Sequence, residues 1–445
     1  MIQSLAGRVS GPVYTPDDAG YAPECAGFNA GVTHSPRYVV AVKSTQDVAE
    51  AIRFARENHL PLSVQATGHG TDAPITSGVL LSTKALDHVR IDPATRIATI
   101  GAGARWAPVV EEAAKHGLAP IAGSSTNVGV VGYLLGGGLG PLVRSHGVSS
   151  DYVVGYTLVT CDGETVVASE DQHPDLFWGL RGGKSGFGIV TEVKLKLVEL
   201  RSLYAGSLFF AEEHIEAVLR GWVKWTAEAD ARVTTSIAVM RFPPFDFIPP
   251  PLRGRTVLNL RFAYPGTPSE GEQLAAPLRA LAPVDMDMLG ELPASQIARI
   301  HNDPERPSPV WTSGLMLTHV DQDLATAVLR QVGAGARTPF FMLEVRHLGG
   351  ACRNDVAGGS AVGGRGGDFL VGLVGMHPPL FETVLPGALE GLRAELKPWL
   401  SSEMTINFMG RVRDAAHFDT AWPEAIRAKL NEVRGRYDPH KLFAK

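Results

Sequence analysis

Cysteine is scarce in this chain. Cys25, Cys161 and Cys352 are odd in number, widely spaced and form no C-x-x-C pair, so neither a disulfide framework nor a thiolate zinc site is expected, and no metal is assigned. Runs of basic residues are also lacking. With 41 Lys and Arg against 46 Asp and Glu and a net charge of −5, no footprint for nucleic acid or an anionic membrane results. The opening MIQSLAGRVSGPVYTPDDAGY has no basic segment leading into an apolar one, so no secretory signal is read and a cytoplasmic location is expected.

Phosphate-binding signatures are missing as well. No G-K-[ST] follows a glycine loop, and the glycines present do not keep a G-x-G-x-x-G spacing, which excludes a P-loop and a Rossmann fingerprint. The chain has instead GSSTNVGVVGYLLGGGLG, Gly123 to Gly140, with seven glycines and no charged residue. Such a stretch lets backbone N–H groups approach phosphates or a planar ring that side chains would hold away. The uncharged window from Pro120 to Val143 has the length of a membrane span, but its glycines and Ser124, Ser125, Thr126 and Asn127 make it too polar for one. A cofactor cradle is the reading it supports.

At 445 residues and 44% hydrophobic content, two or three folded units are expected, enough to bury a large ligand. From Tyr38 the pattern predicts strand, helix, strand, with Ser44 and Asp47 in a capping-box-like start and Val48, Ile52 and Ala55 as the helix's buried stripe. Val153 to Ser169 reads as a hairpin turning at Asp162-Gly163, and Val193, Leu195 and Leu197 alternate with charged residues in a half-buried strand. After about Leu200 the glycine-rich texture ends, which places a domain boundary there. TVLNLRFAY, FFMLEVRHL and FLVGLVGM, with intervening helices, predict an antiparallel sheet covered by helices. Pro243 to Pro251 and Gly349 to Gly367 read as loops, the latter as a lid or rim.

His69 follows the strand LSVQ between Gly68 and Gly70, which presents its imidazole rather than packing it. Together with the following blocks it carries a resemblance. TQDVAEAIRFARENHLPLSVQATGHG, GVVGYLLGGGLGPLVRSHGVSSD, HPDLFWGLRGGKSGFGIVTEV, EVRHLGGA, NFMG and RYDPHKLF occur in an order that resembles the berberine bridge enzyme-like branch of the vanillyl-alcohol oxidase (PCMH-type) superfamily, over nearly the whole chain.

The resemblance implies an α+β fold: a two-part PCMH-type FAD-binding domain, residues 1–200 and 401–445, with an inserted antiparallel-sheet substrate domain, 201–400. It implies FAD bonded covalently through His69, whose neutral imidazole attacks the flavin 8α-methyl carbon. Ser125 stands where bicovalent relatives have a second attaching cysteine, so a single bond is expected. The implied cofactor contacts are Ala66, Thr67, Gly68, His69, Gly70 and Thr71; Ser125, Val128, Gly129, Gly132, Tyr133, Gly137, Gly138, Leu139 and Leu142; Gly147 and Val148; Gly186, Gly188, Ile189 and Val190; and Asn407 and Tyr437. Val128 matches the position beside the flavin's oxygen-reactive carbon and is of the oxygen-accepting type. His146 is read as structural.

The base is a departure. The family's Asn-Tyr pair reads Asn407-Phe408 here, and phenylalanine takes no proton. By period-two alternation Glu344 and Arg346 share one face of their strand and His347 takes the other. Glu344, Arg346 and Asn407 are therefore the catalytic candidates, with a plain Glu344–Arg346 ion pair as the competing reading. The expected activity is an FAD oxidase moving a hydride from a small alcohol, sugar or natural-product intermediate to flavin and the electrons to oxygen, in specialised metabolism, as a monomer or homodimer with no nucleic-acid or membrane partner. A dehydrogenase with another acceptor and a non-redox flavoprotein are the alternatives.

Overall fold

The computed structural model describes residues 2–412 and 414–443. Near the N-terminus the helix Thr45–Glu57 begins where the Ser44 hydroxyl accepts a hydrogen bond from the Asp47 amide, 3.1 Å away. Asp47 does not complete a capping box. Its carboxylate accepts instead from the amides of Ser10, Gly11 and Lys43, which pins the N-terminal segment to this helix. Val48, Ile52 and Ala55 are buried. The strands Tyr38–Ala41 and Leu62–Gln65 flanking this helix in sequence both pair in parallel with Val79–Ser82, as a helical crossover requires.

A second, antiparallel sheet runs in the order Val89–Asp92, Ile97–Gly101, Ile189–Lys196, Val153–Val159, Thr165–Ala168. Ile189–Lys196 is central in it, and Val193 and Leu195 are buried while Lys194 and Lys196 are exposed. The hairpin closes through Gly163 at φ +76°, but its loop takes residues 160–164, longer than a two-residue turn. Both sheets share one apolar core with the C-terminal residues Leu430, Val433, Leu442 and Phe443. The chain end returns to the first sheet, where the Leu62 amide donates to the Leu442 carbonyl at 3.2 Å.

Residues 202–375 build an eight-stranded antiparallel sheet. Its helices Ile215–Thr226, Gln322–Val332 and Leu385–Glu395 contribute Trp222, Val328 and Leu392 to a separate core on the sheet's apolar side. Ser236, Arg261, Glu344 and Arg346 are nonetheless polar side chains within its strands. The register sets Ser236 opposite both Arg261 and Arg346.

The segment Gly349 to Gly367 is anchored in its second half. Ala361 and Val362 lie in the core, the Ala361 amide donates to the Arg181 carbonyl, and the Trp422 indole donates to the Ala361 carbonyl, both at 2.8 Å. Its length suggested a lid or rim, and its small residues serve close packing around Ala361. All three cysteines are buried and free. Among the described residues, no helix is long and apolar enough to cross a membrane.

Candidate flavin-binding site

Two glycine-bearing segments distant in sequence meet at one place. The turn after Leu62–Gln65 carries Ala66 to Thr71, and its Thr67 hydroxyl accepts from the Gly129 amide at 3.3 Å. Gly68, at φ +70°, is packed so tightly that a Cβ would lie 2.5 Å from the Gly27 Cα, so only glycine fits there. This close contact sets Phe28 beneath His69, with ring centroids 3.7 Å apart.

The His69 imidazole is neutral. Burial, aided by the nearby Arg105 charge, lowers its pKa to about 4, outweighing an opposing hydrogen bond with the Asn127 backbone. Its Nε2 is buried with no hydrogen-bond partner. A buried, unpartnered ring nitrogen costs stability unless something else meets it.

The helix Val130–Leu134 starts at Gly129, and positions Gly70 and Gly132 have no heavy atom within 4 Å of where a Cβ would stand. Both leave backbone open to a close approach. Gly137 and Gly138 follow at φ +93°, and a Cβ at Gly138 would strike the Tyr133 ring. Tyr133 stays a neutral phenol, its pKa pushed up to about 12 by burial. Their carbonyls accept from the amides of Ser150 and Ser149, which joins this loop to Gly147 and Val148.

Asn407 closes this side. Its carboxamide donates to the Tyr133 carbonyl at 2.8 Å and accepts from the Lys184 ammonium at 3.1 Å, while Lys184 also donates to the Gly132 carbonyl at 2.9 Å. Burial lowers the Lys184 pKa to about 8, with Asp72 acting against the shift. Asp72 in turn accepts from the Val412 amide at 2.8 Å.

The other expected contacts scatter more. Leu139 and Val148 are buried in the main core, and Leu142 packs in a different cluster with Leu203 and Ala263. Ser125 and Val128 are half-buried beside Asn127. Gly186, at φ +93°, rests on the Arg434 side chain, and Ile189 and Val190 start the central strand. The Tyr437 hydroxyl donates to the Asp175 carboxylate at 3.2 Å, committing it to the helix Pro174–Leu180. His146 accepts from or donates to the Ser145 hydroxyl at 2.8 Å, a local bond in keeping with a structural role.

The wall supplied by the large sheet differs most from expectation. The Glu344 carboxylate is fully buried and receives Arg346 Nε at 2.8 Å, Ser236 Oγ at 2.8 Å and the Arg261 guanidinium, with His301 Nε2 at 3.7 Å. Burial works to raise its pKa, but the charges of Arg346 and Arg261 prevail and hold it well below the usual carboxylate range. Three hydrogen bonds hold it as an anion, two on Oε1 and one on Oε2, an arrangement that favours the ion-pair reading of Glu344 over that of a base. Arg346 spans this hub and the Phe408 ring, 4.9 Å from its centroid. His347 points to the opposite face, stacked on Phe369.

Arg261, Ser236 and His301 were missed in the sequence. Asn259 and Arg261 interrupt the apolar run TVLNLRFAY at alternate positions, which is a readable mark of a polar face; His301 carries no such mark.

Residues 36–169 match the FAD binding domain family. That stretch of the chain is thus an FAD-binding domain. A 206-residue stretch of this flavoprotein is 37% identical to (R)-6-hydroxynicotine oxidase of Paenarthrobacter nicotinovorans, covering 46% of this chain and 45% of that one. The matched stretch thus spans about half the length of that relative. The fold aligns along its whole length with 6-hydroxy-D-nicotine oxidase of Arthrobacter nicotinovorans, at TM-score 0.83, 24% identity and coverage of 98% and 96%. It aligns equally with glucooligosaccharide oxidase of Acremonium strictum, whose flavin is a 6-S-cysteinyl, 8α-N1-histidyl FAD, at TM-score 0.84, 19% identity and coverage of 100% and 98%.

The residues fit FAD on an observation of the chain itself. A neutral imidazole carries an unpartnered buried nitrogen, and Gly70 and Gly132 leave backbone open to close approach on the two segments joined by the Thr67–Gly129 hydrogen bond.

Proposed function

We propose that the protein is an FAD-linked oxidase of a small organic substrate, with the flavin held by one covalent bond from His69 Nε2. His69, the Gly129–Gly138 backbone and Asn407 would hold FAD, and the chemistry supplied with it would be acceptance of a hydride from the substrate and passage of the electrons to oxygen as hydrogen peroxide. The single observation that carries the reading is the orphaned Nε2 of a neutral His69.

The protein's own groups have separable tasks. Phe28 fixes the plane of the imidazole, so its nucleophilic nitrogen is aimed before any bond forms. Lys184 and Asn407 tie the C-terminal segment to the Gly132–Tyr133 backbone and present fixed donors and positive charge there. Glu344 anchors Arg346, which lies over Phe408 and offers the substrate a cation and an apolar wall together. Tyr133 supplies a neutral phenol at the same side.

Acid precipitation followed by peptide mass spectrometry tests the tether. The yellow colour should remain with the polypeptide, on one peptide containing His69, and His69→Ala should release it. Flavin that washes out of the wild type in acid sinks the covalent assignment, and absence of oxygen consumption with a substrate that bleaches the flavin sinks the oxidase assignment.

A further inference from the structure

Beside the strand Met342–His347, on the face that His347 takes rather than the one holding Glu344 and Arg346, a cleft of about 370 Å³ opens next to the helix Ile215–Thr226. Its walls are partly apolar, from Val223, Val320 and Phe369. Its base is cationic. Arg144 is buried there, and its guanidinium donates to the Val233 carbonyl at 2.7 Å, the Leu348 carbonyl, and His347 Nε2 at 2.8 Å. None of these partners carries a charge.

Because His347 Nε2 accepts from Arg144, the ring proton sits on Nδ1, which is buried and has no acceptor. Burial, aided by the Arg144 and Arg353 charges, keeps this ring neutral. Asp368 does not cancel the charge. Its carboxylate is bound by Arg353 through two hydrogen bonds, and it also lies beside Arg144 across Gly349, so one anion faces two guanidiniums. Among the residues lining the cleft, Arg144 and Arg353 thus share one carboxylate, an excess of one cation in partly dehydrated surroundings where an anion's charge is best rewarded.

We propose that this cleft is a binding site for a small monocarboxylate with an apolar body, its carboxylate on Arg144 and its hydrocarbon against Val223, Val320 and Phe369. The site is separate from the flavin cradle, because it lies on the far face of the strand that carries Arg346. The volume is at the small end of ligand pockets and suits a molecule of the size of benzoate.

The test is calorimetric titration of the flavin-loaded protein with benzoate and hexanoate at fixed ionic strength, with benzyl alcohol and hexanol as uncharged counterparts. Val320→Trp fills the cleft from its half-buried rim without touching the charges or the flavin cradle. Saturable binding of at least one acid, absent for its alcohol and weakened roughly tenfold or more in Val320→Trp with unchanged turnover and melting temperature, supports the site. Arg144→Met should abolish it, with the folded state checked by the same melting curve. No binding of either acid overturns the proposal, and so does equal binding of acid and alcohol. Binding that Val320→Trp leaves unchanged while the visible flavin spectrum shifts also overturns it, because the acid is then in the redox site.

Discussion

The imidazole of His69 lies flat on the ring of Phe28, the planes 13° apart. A ring held on one face has a single direction left in which to present its free nitrogen, so attachment of a flavin should depend on the stack. Phe28→Ala is expected to raise the fraction of flavin released by acid while leaving the protein folded, and His69→Ala to release all of it. Full covalent occupancy in Phe28→Ala, read by the absorbance of the acid supernatant, would remove Phe28 from the account.

Glu344 should behave as a structural anion. Glu344→Gln leaves Arg261 and Arg346 buried with no carboxylate between them, a loss of roughly 3–5 kcal/mol in unfolding free energy. Its folded pKa lies below the ordinary carboxylate value. The stabilisation is thus present above about pH 4.3 and is lost as pH falls below it, which urea unfolding at several pH values would report. Glu344→Asp should recover part of it. A wild-type flavin-reduction rate with an acid limb near neutral pH that vanishes in Glu344→Gln would restore the carboxylate as a base.

Lys184 gives an alkaline signature. With a pKa near 8 its ammonium is lost as pH rises through that value, and the charge-assisted hydrogen bond to the Asn407 carboxamide weakens to a neutral one. Flavin reduction should fall on an alkaline limb close to that pKa, and Lys184→Met should lower the rate at pH 7 and erase the limb. Unaltered alkaline behaviour in Lys184→Met assigns the limb to another group.

Val128 is half-buried against the main core, and its backbone carbonyl accepts from the Trp106 amide at 3.0 Å. Val128→Leu should slow reoxidation of the reduced flavin by air and spare its reduction by substrate, measured separately by stopped-flow absorbance. Equal reoxidation rates in the two proteins would dismiss a gate at this position.

Local signals in the chain determined a good deal. Ser44 before an amphipathic run marks a helix start because its hydroxyl meets an amide three residues on, and alternation marks Ile189–Lys196 because strand side chains take opposite faces. The glycine run from Gly123 to Gly140 declared a backbone built for close approach, and the ordered motifs pointed to the α+β flavoprotein fold. These depend on neighbours within a few residues. What the tertiary structure alone decided is partnership. Glu344 and Arg261 are 83 positions apart, and only the strand register puts a second guanidinium on that carboxylate and lowers its proton affinity further. The same holds for Gly349 to Gly367, which reads as a lid or rim until Arg181 and Trp422, brought in from elsewhere, bond to its backbone at Ala361. A side chain's proton affinity and a loop's mobility are set by what surrounds them, and those surroundings come from distant parts of the chain.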